Sequence, residues 1–352
     1  MAIDVPIDND LLRVISAASD RPAAFTTHPE QLTGGFWATI YGFELEPGGD
    51  GDDRFAGPLV LRVMPEASVA GKETIVQTAL GAAGYATPRV VLSGHDEPLG
   101  GAFMVMARAP GNSPMSGLSI GPSPVRLIRS LRSIPVLLGE TAARLHAIDP
   151  NPIDAALRDA GIELAPLGDE PYRRDICAAM ATSAVGFGEV LRWFDEHQPA
   201  MPRRVVCHGD LHPLNLLVAD DATVTVLDWT NATICPPELD VGFTTAFLRC
   251  APISVPAVAR PVLRAVTGHL ARRFQQVYRA QPHAPLLDPS RLRWYEALQY
   301  ARCLADTAVG RTDPNEVVGA DHPFETAARD MTRELAAITG ITITLPERTG
   351  LC

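Results

Sequence analysis

The hydrophobic pattern of this 352-residue chain changes period near residue 109, and that switch limits the available folds more than any other feature. Before it, short apolar segments alternate with polar residues. QLTGGFWATIYGFEL, from residue 31, predicts a strand, a Gly-Gly turn and a second strand, and PLVLRVM at 58–64 predicts a third. TPRVVLSG and AFMVMAR add two more on either side of the turn HDEPLGG. Helical spacing over 9–18 leads this region, and GKETIVQTALGAA inserts one helix among the strands. After Ala109-Pro110-Gly111 a Pro/Ser/Gly-rich stretch acts as a linker. Helical patterns then dominate: VLLGETAARLHAI, YRRDICAAM, GEVLRWFDEH, ELDVGFTTAFL, VLRAVTGHLARRFQQVY, RLRWYEALQYARCLA and ETAARDMTRELAAI. The expectation is an α+β chain of two lobes. Residues 1–108 form a small antiparallel-sheet lobe with a leading helix and one further helix, and residues 109–352 form a larger helical lobe interrupted by one hairpin.

Composition excludes several classes. At 46 % hydrophobic and 20 % charged residues the chain is ordinary for a globular protein. It lacks the apolar run of about 18 residues that a membrane span needs. The start, MAIDVPIDNDLL, carries acids where a signal peptide carries positive charge, so the expected location is the cytoplasm, with no membrane partner. A net charge of −11 argues against a nucleic-acid partner, which would require a basic face. The six cysteines show neither C-x-x-C spacing nor clustering with histidine, so neither a zinc knuckle nor a disulfide framework is indicated. Lys72 is the single lysine, so a cationic role elsewhere falls to arginine.

Chemistry concentrates in VCHGDLHPLNLL, residues 206–217. Leu216-Leu217-Val218 is a short apolar run, Asp220-Asp221-Ala222 has turn composition, and Thr223-Val224-Thr225-Val226-Leu227 alternates up to Asp228. A two-residue turn at Asp221-Ala222 would set 220 opposite 223 and therefore Asn215 opposite Asp228. Their Cβ atoms would then be roughly 5 Å apart. An amide oxygen and a carboxylate at that distance can share a hard cation such as Mg²⁺. Asp210, five residues before Asn215, would bring a third oxygen group to the same cleft.

H-G-D-L-H-P-L-N, followed by hydrophobic residues and L-D-W, resembles the catalytic loop and metal-binding aspartate of the aminoglycoside phosphotransferase and choline kinase-like family, which has the protein-kinase-like fold. The resemblance implies ATP and Mg²⁺ as cofactors and a small-molecule hydroxyl substrate as partner. That hydroxyl could belong to an aminoglycoside-like compound, an amino alcohol, a sugar or a hydroxyacyl compound. It implies that Asp210 accepts or orients the proton of the substrate hydroxyl, that Asn215 and Asp228 hold Mg²⁺, and that His208 and His212 build the loop. It also implies that Arg62 meets the phosphates, a place usually held by lysine, with Val60 on the same face covering the adenine. Glu73 would hold that cation, and Thr33-Gly34-Gly35 resembles the turn over the triphosphate, where small residues admit close backbone approach. In F-M-V-M-A-R-A-P-G, Met106 would line the adenine pocket and the backbone near Ala109 would bond the base. Asp240, in P-P-E-L-D-V-G-F, would order the helix after the metal aspartate. Trp229-Thr230-Asn231 departs from the pattern, since many relatives carry an acid there, and Leu214 replaces a common glycine.

On sequence alone other readings of the loop stay open. HGDLHPLN could be a polar turn whose side chains cap backbone groups. His208, Asp210 and His212 could hold Zn²⁺ in a hydrolase, although no second histidine cluster supplies further ligands. A pseudokinase would bind nucleotide without transfer.

Overall fold

In the computed structural model the structure describes residues 7–19, 21–32, 38–47, 53–64, 67–116, 124–162, 179, 185–200, 204–312 and 324–348. Among them the architecture is a small sheet lobe and a larger, mainly helical lobe, the two-lobed protein-kinase-like arrangement. The expected turn Thr33-Gly34-Gly35 and the expected helix YRRDICAAM, apart from Ala179, lie outside the described residues.

The first compact unit gathers residues 1–112, 151–163 and 216–231. Its sheet contains β1 (Phe25–Gln31), β2 (Thr39–Leu45), β3 (Leu59–Met64), β4 (Val90–Asp96) and β5 (Gly101–Ala107), in the order β1-β2-β3-β5-β4 with every pair antiparallel. Alternation sorts the central strand onto two faces. Leu59 and Leu61 pack with Phe43, Phe103 and Val105 against Leu11 and Ile15 of α1 (Asp8–Ser19). Met64 packs on the opposite face with Met104, Met106 and Ala70, the last from α2 (Ala67–Ala82), with Val60 beside them. A fully buried apolar side chain of this size contributes about 1.5–3 kcal/mol, so each face is a substantial source of stability. One face is thus closed by α1, while the other carries Val60, Arg62 and the methionines beside α2.

A β-hairpin of β7 (Leu216–Val218) and β8 (Val224–Val226) completes this unit. Its register differs from the expected one by one residue: Leu216 pairs with Val226, Leu217 with Thr225 and Val218 with Val224. Asn215 and Asp228 are therefore not cross-strand partners. The cause is the turn, which has three residues, not two. The Ala219 amide bonds the Thr223 carbonyl at 3.0 Å, and Ala222 takes a left-handed φ of 65°. A helical turn followed by one left-handed residue is a common three-residue hairpin loop, but alanine rarely announces it in sequence.

The second unit gathers residues 113–150, 164–215 and 232–352. It contains α3 (Pro124–His146), α5 (Phe187–Glu196), α6 (Glu238–Arg249), α7 (Arg260–Ala280), α8 (Pro289–Thr312) and α9 (Ala328–Thr339). A helix absent from the sequence reading, α4 (Asn151–Asp159), belongs to the first unit and packs on α2. In the second unit α6 packs against α7 and α8, and α3 packs against α7. Trp294, Tyr295 and Leu298 of α8 sit in its core with Phe187, Phe194 and Leu239. The short ladder of β6 (Val205–Cys207) with β9 (Thr233–Cys235) fixes both ends of the segment that holds the polar loop. Among the described residues no helix is long and apolar enough to cross a membrane.

Candidate active site

In the first unit, β3 and α2 bring Arg62 and Glu73 together. Both are nearly excluded from solvent, at 8 % and 0 % exposure. Nη1 of Arg62 donates to Oε1 of Glu73. Nη2 donates to Oδ1 of Asp228 at 3.2 Å and to Oγ1 of Thr230 at 3.1 Å. Oγ1 of Thr230 in turn donates to Oε2 of Glu73 at 3.2 Å. Burial pushes the Glu73 carboxyl above its ordinary value, Arg62 opposes that rise, and Asp228 adds to it. Residues 62, 73 and 228, far apart in sequence, therefore form one charged cluster.

Asp228 reaches this cluster through an unusual backbone. Its φ of 63° is left-handed, a conformation that aspartate tolerates better than most residues and that places the side chain off the line of β8. The next residue anchors the turn. Trp229 is fully buried, its indole N–H donates to Thr87 Oγ1 at 2.8 Å, and its ring meets Tyr85 edge-on. The Val226 amide donates to the Ala86 carbonyl at 2.9 Å, so the hairpin is fastened to the segment after α2.

Val60 and Met106 are directly paired across β3 and β5, on the face that also carries Arg62 and Met104. Ala109 follows β5 and is half-buried. Just beyond it, Asn112 exchanges both backbone hydrogen bonds with Val218, at 3.1 and 2.9 Å. Gly111 lies between at a φ of 103°, and a Cβ there would run into the backbone of Val218. Only glycine meets both demands.

The second unit holds the loop 208–215. Its geometry is set by three residues on one face of α6, spaced four and three apart: Asp240, Thr244 and Phe247. Asp240 accepts the amides of His208 and Gly209, each at 2.7 Å. Thr244 donates its hydroxyl to the Leu211 carbonyl at 2.7 Å. Phe247 stacks on the His212 ring with centroids 4.9 Å apart. From the other side, the Ser113 hydroxyl donates to the Pro213 carbonyl at 3.0 Å. Asp240 was expected to order its own helix, but its hydrogen bonds hold the loop.

Within the loop, Asn215 donates its amide nitrogen to the Asp210 carbonyl at 2.9 Å and lies 3.5 Å from the Asp210 carboxylate. His212 Nε2 is 3.5 Å from the same carboxylate. His208 is fully buried, and its Nδ1 accepts the Asp210 amide at 3.2 Å, as a loop-building residue should. The Asn215 amide nitrogen is thus engaged within the loop. Taken separately, Asn215 in the second unit and Asp228 in the first each carry an oxygen of the kind that hard cations such as Mg²⁺ take.

Among the described residues, the histidine, cysteine and acid ligand atoms that gather closely enough to share a metal are those of His146, Cys207 and Asp240, not those of His208, Asp210 and His212. That buried trio is scaffold. Asp240 is already bonded by two amides and by His146 at 3.1 Å, and His146 also meets the Tyr278 hydroxyl at 2.8 Å. Burial holds the Cys207 thiol well above its ordinary value, so the thiolate that a metal requires is disfavoured.

Sequence reasoning did not single out Thr244, Phe247 or His146, and it took Thr230 only as a departure. The i, i+4, i+7 spacing on α6 was the available signal, but an apolar-rich helix gives no hint that its polar members face a loop.

Residues 49–295 match the profile of the phosphotransferase enzyme family. The chain is 23 % identical over 185 residues to mouse (Mus musculus) acyl-CoA dehydrogenase family member 10, a match covering 52 % of this chain and 17 % of that much longer relative. Among solved structures it is similar to a putative aminoglycoside phosphotransferase from Ralstonia eutropha JMP134, with a TM-score of 0.63, 18 % identity, and coverage of 95 % of this chain and 98 % of that one. A thermostable mutant of aminoglycoside phosphotransferase APH(4)-Ia, in ternary complex with ADP and hygromycin B, gives a TM-score of 0.55 and 19 % identity over 94 % and 98 % of the two chains. A macrolide 2'-phosphotransferase type I also gives 0.55, with 15 % identity over 94 % and 98 %. At these identities the structural likeness speaks for the fold.

Proposed function

This chain belongs to the phosphotransferase enzyme family, and from that premise we propose that it moves the γ-phosphate of ATP to a hydroxyl of a small molecule in a Mg²⁺-dependent reaction. The observation that carries the reading is the Arg62 cluster, in which one guanidinium joins Glu73 and Asp228. A buried ion pair is a poor source of stability for its own sake, because desolvation offsets much of the attraction. A phosphate-facing cation held by a buried acid gives it a purpose.

In this proposal Asp210 takes the proton of the acceptor hydroxyl as its oxygen attacks the γ-phosphorus in line. The bond from that phosphorus to the bridging oxygen breaks, and ADP leaves with the bond's electron pair. Arg62 steadies the phosphates, while Val60, Met106 and the backbone at Ala109 receive the adenine. Thr33, Gly34 and Gly35 would cover the triphosphate. Asn215 and Asp228 would hold Mg²⁺, which offsets phosphate charge when bound. His212 and Asn215 keep the Asp210 carboxylate oriented. The acceptor is an aminoglycoside-like compound, an amino alcohol, a sugar or a hydroxyacyl compound. Hygromycin B accompanies one structural relative and macrolides name another, which makes antibiotic hydroxyls sensible first members of a panel.

The test is Mg²⁺-dependent ATP consumption across a panel of alcohols, with Asp210→Asn as the comparison. Loss of one general base removes about 10²–10⁴-fold in rate. Transfer to a panel alcohol by the wild type, and its fall in the variant, supports the reading. ATP binding with no phosphorylated product from any alcohol points to a pseudokinase. Recovery of an EDTA-treated protein by Zn²⁺ alone points to a hydrolase.

A further inference from the structure

The hydroxyl of Thr230 sits where two acids and one guanidinium meet. It accepts from Arg62 Nη2 at 3.1 Å and donates to Glu73 Oε2 at 3.2 Å, while its own amide points to Asp228 Oδ1 at 3.4 Å. The same Nη2 also reaches Asp228 Oδ1 at 3.2 Å. One nitrogen of the fork therefore has two acceptors, a charged one on Asp228 and a neutral one on Thr230, whereas Nη1 is bound to Glu73.

Building on the phosphotransfer reading above, we propose that Thr230 is a positioning residue matched to the arginine at 62: it keeps Nη2 bound when a Mg²⁺-nucleotide draws Asp228 away. A lysine in place of Arg62 would carry its three N–H donors on one nitrogen at the end of a flexible stem and could turn among its acceptors, whereas the rigid guanidinium fork fixes the direction of Nη2. An arginine whose second nitrogen depended on Asp228 alone would lose that partner whenever the carboxylate turned to a cation, leaving a nearly buried N–H unbonded. Such a loss is expensive inside a protein. The Arg62 Nε is already buried without a hydrogen-bond partner among the described residues, so the guanidinium has little slack to lose another. The chemistry of the side chain at 230 matters too. A carboxylate there would place a third negative charge around one guanidinium, beside Glu73 and Asp228. A hydroxyl accepts from the cation and donates to Glu73 at once, and adds no charge.

The test compares Thr230→Val, which keeps the shape and loses the hydroxyl, with Thr230→Ser, which keeps the hydroxyl. Thr230→Ala serves as a second loss variant should valine disturb packing, and circular dichroism verifies the fold of each. Binding of ADP is measured by calorimetry over a series of Mg²⁺ concentrations, with no acceptor and no turnover involved. The Thr230 hydroxyl bonds a cation and a carboxylate, and hydrogen bonds to charged groups are the stronger class, so Thr230→Val should raise the half-saturating Mg²⁺ concentration by about 10-fold or more. Thr230→Ser should stay within about twofold of wild type, and ADP binding without Mg²⁺ should change little in either variant. In an Arg62→Lys background the same valine substitution should have a clearly smaller effect, because an ammonium on a flexible stem can turn its N–H groups to another acceptor. The proposal is overturned if valine leaves the Mg²⁺ dependence as it was, if serine fails as badly as valine, or if the valine effect is equally large in the Arg62→Lys background. A wild-type protein that binds no Mg²⁺-ADP overturns the phosphotransfer reading as well. One that binds it with the valine variant indistinguishable overturns only the role of Thr230.

Discussion

Asp240 holds the amide of His208 at 2.7 Å on a carboxylate that is fully buried. The same side chain takes the Gly209 amide, so one residue of α6 holds two successive amides of the polar loop.

Replacing it by asparagine leaves one acceptor oxygen where there were two and puts an amide NH₂ against backbone N–H groups. Hydrogen bonds to a charged group contribute about 1.5–3 kcal/mol each, so Asp240→Asn should lower stability at neutral pH by about 2–3 kcal/mol. The loss should also depend on pH. Burial alone would raise this carboxyl, but His146 and the loop outweigh it and hold it below its ordinary 3.8. A depressed folded-state value means that the unfolded chain binds the proton first, so the stabilisation is complete above the ordinary carboxylate value and is lost as pH falls through the depressed one. Urea unfolding of both proteins from neutral pH into the acid range should therefore show their stabilities converging on the acid side. A gap that stays constant down to the acid limit contradicts the assignment.

The pair of Arg62 and Glu73 makes a second prediction. Glu73→Ala strips the buried guanidinium of its closest partner and should destabilise the first unit by about 3 kcal/mol. The double variant Arg62→Met with Glu73→Leu should recover most of that stability, because it buries apolar groups in place of two charges. It should not recover nucleotide binding. Thermal melts with and without Mg²⁺-ADP separate the two effects, and a double variant still shifted upward by the nucleotide would contradict the role assigned to Arg62.

Gly111 offers a purely steric prediction. Its φ of 103° disfavours any side chain, and the Val218 backbone occupies the place of a Cβ. Gly111→Ala should therefore cost about 2–3 kcal/mol, from backbone strain together with displacement of the Asn112–Val218 bridge. The urea midpoint measures it. Gly84, also at positive φ but with nothing near its absent Cβ, should suffer only the strain and serves as the control.

Much of this protein can be read from local sequence. Strands β2 to β5 and the helices α1 and α2 follow from periodicity, because a half-buried strand must alternate and an amphipathic helix must repeat every three to four residues. Arg62 and Glu73 could be named because the resemblance assigns roles by motif, and the structure joins them. The hairpin was visible as two apolar runs around a turn, but its register was not. Nothing in Asp220-Asp221-Ala222 shows that alanine will adopt a left-handed φ and lengthen the loop by one residue.

The sequence by itself determined the order of strands β2 to β5 with α1 and α2, and the place of the polar loop between two short apolar runs, since each depends on neighbours a few residues away. Only the tertiary structure decided that Thr230 is shared by Arg62 and Glu73, and that Asp240, Thr244 and Phe247 contact the loop. Those relationships join residues 31 to 168 positions apart. A hydrogen bond depends on distance and direction in space, and a single chain's letters carry neither across such separations.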